Sequence, residues 1–259
     1  MTDVYVVSAM RTAIGGFGGS LKDVPPHELG TTVIKAAIDK AGISGDDVGH
    51  VVIGHVVNTE PRDQYLSRLA SVNAGVSKDS VAMNVNRLCG SGLQAIISAA
   101  QSIKLGDTDV AIGGGVEVMS RGAYILPTSR WGARMGDNKI VDMMTGAVTD
   151  PFEVVHMGVT AENVAKEFDI SREEQDALAA ESHRRAANAI EQGYFKEQIV
   201  PVVLKTRKGE TVFDTDEHVR PDTTVESLAK MRPVFVKENG SVTAGNASGI
   251  NDGAAAVVL

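Results

Sequence analysis

A single cysteine stands in 259 residues, in the run Val85-Asn86-Arg87-Leu88-Cys89-Gly90-Ser91-Gly92-Leu93. Ahead of it Val81, Met83 and Val85 alternate at the period of a strand, and behind it Leu93, Ile96, Ile97, Ala100 and Ile103 recur at the spacing of a helix. Cys89 is therefore predicted at the turn between the two, where Gly90 and Gly92 allow a sharp bend. A helix N-terminus offers N–H groups and the positive end of the macrodipole, which favour a thiolate. The same N–H groups can meet an oxyanion formed beside the sulfur. That is the layout of a covalent nucleophile. A lone cysteine can also be a small, inert core residue, and the local residues leave both readings open. The polar Asn86 and Arg87 speak against core filling.

Composition bounds the rest. Hydrophobic residues make up 43% and charged residues 22%, as in an ordinary soluble globular protein, and the length allows one large domain or two. A net charge of −8 gives no basic surface for nucleic acid. One cysteine excludes an internal disulfide framework and suits a reducing compartment. The apolar run at the start is too short for a signal peptide, and no run approaches membrane-spanning length. The expectation is a cytoplasmic protein with no membrane or nucleic-acid partner and no metal.

The first third alternates strand and helix. Residues 4–8 read as a short apolar strand and 15–19 as a glycine-rich loop. Pro25-Pro26 opens a helix with Leu29, Val33, Ile34, Ala37 and Ile38 on its apolar face, stopped at Gly42. Strands are predicted at 48–53, 81–85 and 109–112, and helices at 64–74 and 92–105, the last capped by Gly106. The strand at 109–112 runs into Gly113-Gly114-Gly115, read as a turn. That turn lacks the G-x-G-x-x-G spacing of a dinucleotide loop, and the neighbouring Glu117 is read as structural. Such alternation predicts a parallel α/β sheet whose ligand end lies at the carboxyl ends of the strands, where Cys89 falls.

From about Gly122 the pattern changes, and residues 130–137 read as irregular loop. Thr160 and Ser171 are N-cap candidates. Ser171 and Glu174 have the spacing of a capping box before a long helix ending at Gly193. A hairpin is predicted around Lys208-Gly209 and a short helix at 225–230. Residues 254–259 read as a buried strand, and a chain stopping inside one is expected to be truncated.

The string NRLCGSGLQAI resembles the acyl-accepting segment of the thiolases. VVSAMRTAIGGFGGSLKDV, GGGVEVMSR, HMGVTAENVAKE, REEQD, GYFKEQIVP and VTAGNASGINDGAA resemble further thiolase segments in the family's order, over essentially the whole chain. The bacterial biosynthetic acetyl-CoA acetyltransferases and β-ketothiolases are the most similar branch. The resemblance implies an α/β fold of layered αβαβα type, made of two βαβαβ halves with a loop domain inserted in the first. Residues 1–119 and 251–259 would form the first half and residues 120–250 the loop domain that binds coenzyme A; the second half is absent from this chain.

By the same resemblance Cys89 carries the acyl group as a thioester. His156 and Met157 line the acyl and pantetheine channel. Ser248 contacts pantetheine with Ala244 in the same wall, and Arg220 and Ser227 lie near the adenine end. Each has a plainer reading beside it: His156 as a helix-cap histidine, Ser248 as a turn residue, Arg220 as a solvated surface cation. The implied reaction condenses two acetyl-CoA, or acetyl-CoA and another acyl-CoA, to 3-oxoacyl-CoA, and runs in reverse as thiolysis. Coenzyme A and acetyl-CoA are then substrates, with no permanently bound cofactor, and the complete enzyme is a homodimer or homotetramer, with residues 131–137 resembling a tetramer-contact loop.

One departure is large. Family members supply a catalytic His in a GHP-type motif, an Asn in an NEAF-type motif and a second Cys in a CxGGG-type motif, and none of these occurs here. His27, His50, His55, His156, His183 and His218 all fall in other segments. The chain by itself is expected to show no turnover. Two alternatives stay beside the thiolase reading: another condensing enzyme of the same fold, and a non-catalytic acyl-CoA-binding half that needs a partner chain.

Overall fold

The computed structural model describes residues 3–207 and 209–259; Lys208, in the expected hairpin turn, lies outside the described residues. The chain forms two compact units, Met1–Met143 with Lys196–Glu217 and Ile250–Leu259, and Met144–Phe195 with His218–Gly249.

The first unit is built from β1 (Ser8–Arg11), β2 (Gly15–Gly16), α1 (Pro26–Ala41), β3 (His50–Gly54), α2 (Leu66–Asn73), β4 (Val81–Val85), α3 (Ser91–Leu105), β5 (Ala111–Val118) and the short pair β6 (Tyr124–Ile125) and β7 (Val141–Asp142), and the short α4 (Met143–Ala147) follows with all but its first residue in the second unit. The second unit adds α5 (Met157–Glu167), α6 (Arg172–Glu191) and α7 (Val225–Leu228). The hairpin β8 (Val202–Thr206) and β9 (Gly209–Phe213) and the last strand β10 (Asn251–Val258) return to the first unit.

The main sheet runs β1-β10-β5-β3-β4, with β2 also on β10. β3, β4 and β5 are parallel, as predicted, but β10 is antiparallel to both β5 and β1, so the sheet is mixed. Alternate residues of each central strand enter two cores. Val51, Ile53, Ile112, Val116, Ala254 and Ala256 pack with α1 and α2, whereas Val52 and Ala111 meet Ala95, Ala99 and Ile103 of α3. The result is three layers, α1 and α2, the sheet, then α3. The far side of α3 leaves Leu93, Ile97 and Leu105 exposed.

Two predicted elements move. Residues 4–8 are not the first strand: it begins at Ser8, whose register partner is Val258, so the residues before Val7 run past the end of β10. Tyr5, Val6 and Val7 are exposed in consequence. Gly113-Gly114-Gly115 is no turn, but the middle of β5. Gly113 and Gly115 face α3 and let it lie directly on the sheet: a Cβ at Gly113 would stand 2.6 Å from the Ile96 Cα. Periodicity cannot see this, because the cause is a helix arriving from elsewhere in the chain.

The compact division also differs from the expected block of residues 120–250. The β8–β9 hairpin buries Val202 and Phe213 in the core of the sheet unit, and Val200 N–H donates to the Arg11 carbonyl. Asp216 completes the attachment, accepting both Arg11 guanidinium nitrogens at 2.7 and 3.0 Å and the Ile14 N–H at 2.8 Å. Burial opposes ionisation of Asp216, but these donors outweigh it and hold its carboxyl below the ordinary aspartate range. A folded-state pKa below the unfolded one contributes stability that is present above the unfolded value, about 3.9, and is lost as pH falls through the folded one. Asp216→Asn is therefore expected to lower the melting temperature at neutral pH and to flatten its fall in acid, measured as Tm against pH.

In the second unit the Ser171–Glu174 capping box forms as read, with both reciprocal bonds present. Thr160, the other cap candidate, lies inside α5; the cap is His156.

Candidate active site

β4 ends at Val85 and α3 begins at Ser91, so five residues make the turn that carries Cys89. Its geometry is set by side chains on either flank. Asn86 Oδ1 accepts the Leu88 N–H at 3.0 Å. The nearly buried Ser91 hydroxyl accepts the Arg87 N–H at 2.8 Å and donates to the Leu88 carbonyl at 2.6 Å. Leu88 is thereby held at φ 46°, a left-handed conformation that costs a non-glycine residue energy and persists only where its surroundings enforce it. Cys89 follows immediately and is exposed. Among the described residues it fills no core. Gly54, at the end of β3, lets the helix start so close to the sheet: a Cβ there would lie 2.5 Å from the Ser91 carbonyl carbon.

Around this turn the ends of the parallel strands carry acid and imidazole. Glu117 accepts the Val56 and Val57 N–H groups at 2.8 and 3.1 Å. Its burial pushes its carboxyl above the ordinary glutamate range, against the pull of His55 and of the two amides. His55 Nδ1 lies 2.8 Å from the Val116 carbonyl, which assigns the proton to that nitrogen. Asp63, fully buried, accepts from the Thr59 N–H, the Thr59 hydroxyl and the Glu60 N–H.

The other six expected site residues lie in the second unit. His156 Nδ1 accepts the Gly158 N–H at 3.0 Å, and its ring stacks on Phe235 with centroids 4.7 Å apart. An accepting Nδ1 leaves the neutral ring's proton on Nε2. Met157 follows as the first residue of α5 and is exposed. A side chain at Gly158 would enter the Phe235 ring, so glycine is needed there. Arg220 is exposed, and its N–H donates to His183 Nδ1. Ser227 caps α7 reciprocally with Thr224. Ala244 and Ser248 are exposed on the loop 241–249. Ser248 shares a cavity of about 470 Å³ with His183 and His218, whose rings stack.

This loop ties the group together. Glu162 of α5 accepts the Ser241 and Val242 N–H groups. Asn246 donates to the buried Asp176 of α6. Gly245 lies so close to Leu228 and Met231 that a Cβ would stand 2.5 Å from each. Val234 N–H donates to the Val242 carbonyl, bringing the Phe235 segment alongside. Glu162, Asp176 and Asn246 lie within HMGVTAENVAKE, REEQD and VTAGNASGINDGAA, but nothing local in those strings singles them out, because each acts on a partner brought by the fold.

Residues 4–259 match the family model described as thiolase, N-terminal domain. The chain belongs to the thiolase family. It is 68% identical over 257 residues to the Beta-ketothiolase BktB of Cupriavidus necator, covering 99% of this chain and 65% of that thiolase. It is 50% identical to an acetyl-CoA acetyltransferase of Chromobacterium violaceum, over 99% of this chain and 66% of that protein. The crystal structures of the Bacillus anthracis acetyl-CoA acetyltransferase and of human mitochondrial 3-ketoacyl-CoA thiolase superpose with a TM-score of 0.94 each, at 44% and 41% identity, over 98% of this chain and 64% of those chains. The chain thus has a thiolase-like fold and spans just under two thirds of the length of BktB. No helix among the described residues is long and apolar enough to cross a membrane.

Proposed function

We propose that this chain supplies the acyl-accepting cysteine and the coenzyme A-binding loop of an acyl-CoA C-acyltransferase, a thiolase. The observation that carries the reading is the exposed Cys89 on a turn held by Asn86 and Ser91 at the start of α3. In the reaction the Cys89 sulfur attacks an acyl-CoA carbonyl, the new S–C bond forms as the bond to coenzyme A breaks, and the departing coenzyme A thiolate takes the proton that the cysteine gave up. A base then takes an α-proton from a second acetyl-CoA, the carbanion attacks the acyl-Cys89 carbonyl, and as the new C–C bond forms the bond to the Cys89 sulfur breaks, releasing 3-oxoacyl-CoA and a cysteine thiolate that recovers the proton. Thiolysis is the reverse. α3 begins two residues after Cys89, and the positive end of its dipole favours negative charge beside the sulfur.

The second unit is the proposed coenzyme A-binding part. His156, Met157 and Phe235 would line the pantetheine channel, Ala244 and Ser248 its wall, and Arg220 and Ser227 the nucleotide end. The α-proton base and the His that activates Cys89 are not among the residues of this chain that match family motifs. We further propose a cytoplasmic homo-oligomer. β4 is an edge strand with Val81 and Met83 exposed, and such an edge is a template for a second copy.

The test joins the last third of the Cupriavidus necator relative after Leu259 and assays acetoacetyl-CoA thiolysis. Turnover by the chimera, with none by the 259-residue chain alone, is expected. A chimera that folds and binds coenzyme A without turnover would sink the proposal. In the chain alone, coenzyme A is expected to bind saturably in a calorimetric titration, and Arg220→Ala to weaken that binding about tenfold, the worth of one charge-assisted phosphate contact.

A further inference from the structure

The odd-numbered residues of β5 face α3. Gly113 lies under Ile96 and Gly115 under Gly92, and Glu117 comes next on the same face, at the end where α3 starts. A carboxylate is costly there, yet it is held by two backbone donors from a different segment, Val56 N–H and Val57 N–H, which directly follow β3. That segment in turn touches the end of β4 and the first residue of the nucleophile turn. His55 N–H donates to the Val85 carbonyl at 3.0 Å, and the Val56 carbonyl accepts from Asn86 Nδ2 at 3.5 Å. Asn86 then spends its other atom, Oδ1, on the Leu88 N–H, next to Cys89. The chain of contacts runs without a gap from β5 to the residue before the sulfur.

We infer that Glu117 is a positioning residue for Cys89: its carboxylate fixes the 55–57 segment, against which Asn86 holds Leu88 in its left-handed conformation and so sets the place of the thiol. The inference rests on the reading of Cys89 as the nucleophile. It adds to that reading a residue on a different strand, which never meets the substrate. The physical argument is one of saturation. Two convergent N–H groups need an acceptor with two free lone-pair directions and negative charge, and such charge-assisted bonds are short and strong. Without it, Val56 and Val57 carry unsatisfied amides, and the segment must turn to find water. Asn86 then loses its brace, and nothing but the Ser91 hydroxyl keeps Leu88 at positive φ.

The experiment measures the second-order rate of Cys89 alkylation by iodoacetamide at one pH in the folded 259-residue chain, beside its thermal midpoint. Glu117→Ala and Asn86→Ala are each expected to lower the rate at least threefold, and the double variant to lower it no further than the stronger single one, since both cut the same path. Glu117→Gln keeps one acceptor and is expected to retain at least half of the parent rate. If Glu117→Ala does not fold, Glu117→Gln and Asn86→Ser carry the same comparison. Unchanged rates at a lowered thermal midpoint, additive effects, or a Gln variant as slow as the Ala variant would each overturn the inference. Alkylation needs no coenzyme A, so failure here is distinct from a folded chimera without turnover, which would count against the thiolase reading itself.

Discussion

Gly113→Ala is expected to cost this protein about 3 kcal/mol of stability or more, the upper range for overpacking a well-filled core. The new Cβ would stand 2.6 Å from the Ile96 Cα, 3.0 Å from its nitrogen and 3.1 Å from the Ala95 carbonyl oxygen. All three are backbone atoms of a helix that cannot rotate out of the way, as the end of a flexible side chain could. Relief requires α3 to lift off β5, which would open the core of Val52, Ala95, Ala99 and Ile103. Chemical denaturation should show the loss as a lowered midpoint at unchanged slope. Gly113→Val should leave no cooperative transition. An alanine variant as stable as the parent would mean that α3 does not rest on the sheet as described.

Cys89→Ser, in the chimera that restores the relative's length, is expected to reduce acetoacetyl-CoA thiolysis by at least ~10³-fold, because a hydroxyl without a matched base is a far weaker nucleophile than a thiolate. The serine side chain is nearly isosteric and the position is exposed, so melting temperature and coenzyme A binding should hardly change. The readout is kcat beside KM, with the loss confined to kcat. A tenfold loss or less would show that acyl transfer does not pass through Cys89.

The pattern of the first third was legible because each element there answers to a local rule. α1 carries its apolar residues at helical spacing between a Pro start and Gly42, which adopts the left-handed conformation that a C-cap glycine supplies. β4 alternates and α3 follows, with Cys89 between them, and both were placed to within a residue. Ser171 and Glu174 form their box because a capping box is completed within four residues.

What failed was whatever depended on a distant neighbour. The triple glycine looks like a turn until α3 is laid against it. The helix-cap reading of His156 was local and agrees with the structure, but the stacking of its ring on Phe235, far along the chain, had no local signal. Glu117 reads as structural from the sequence, but which groups it holds was not legible until the segment after β3 brought two amides to it. Local periodicity, capping chemistry and the family strings thus determined the elements, the turn that carries Cys89 and the kin of this protein. The tertiary structure alone decided how close helix and sheet approach, which side of the sheet meets α3, and which buried polar groups hold Cys89's turn, because each of these is a contact between residues that no window of sequence contains together.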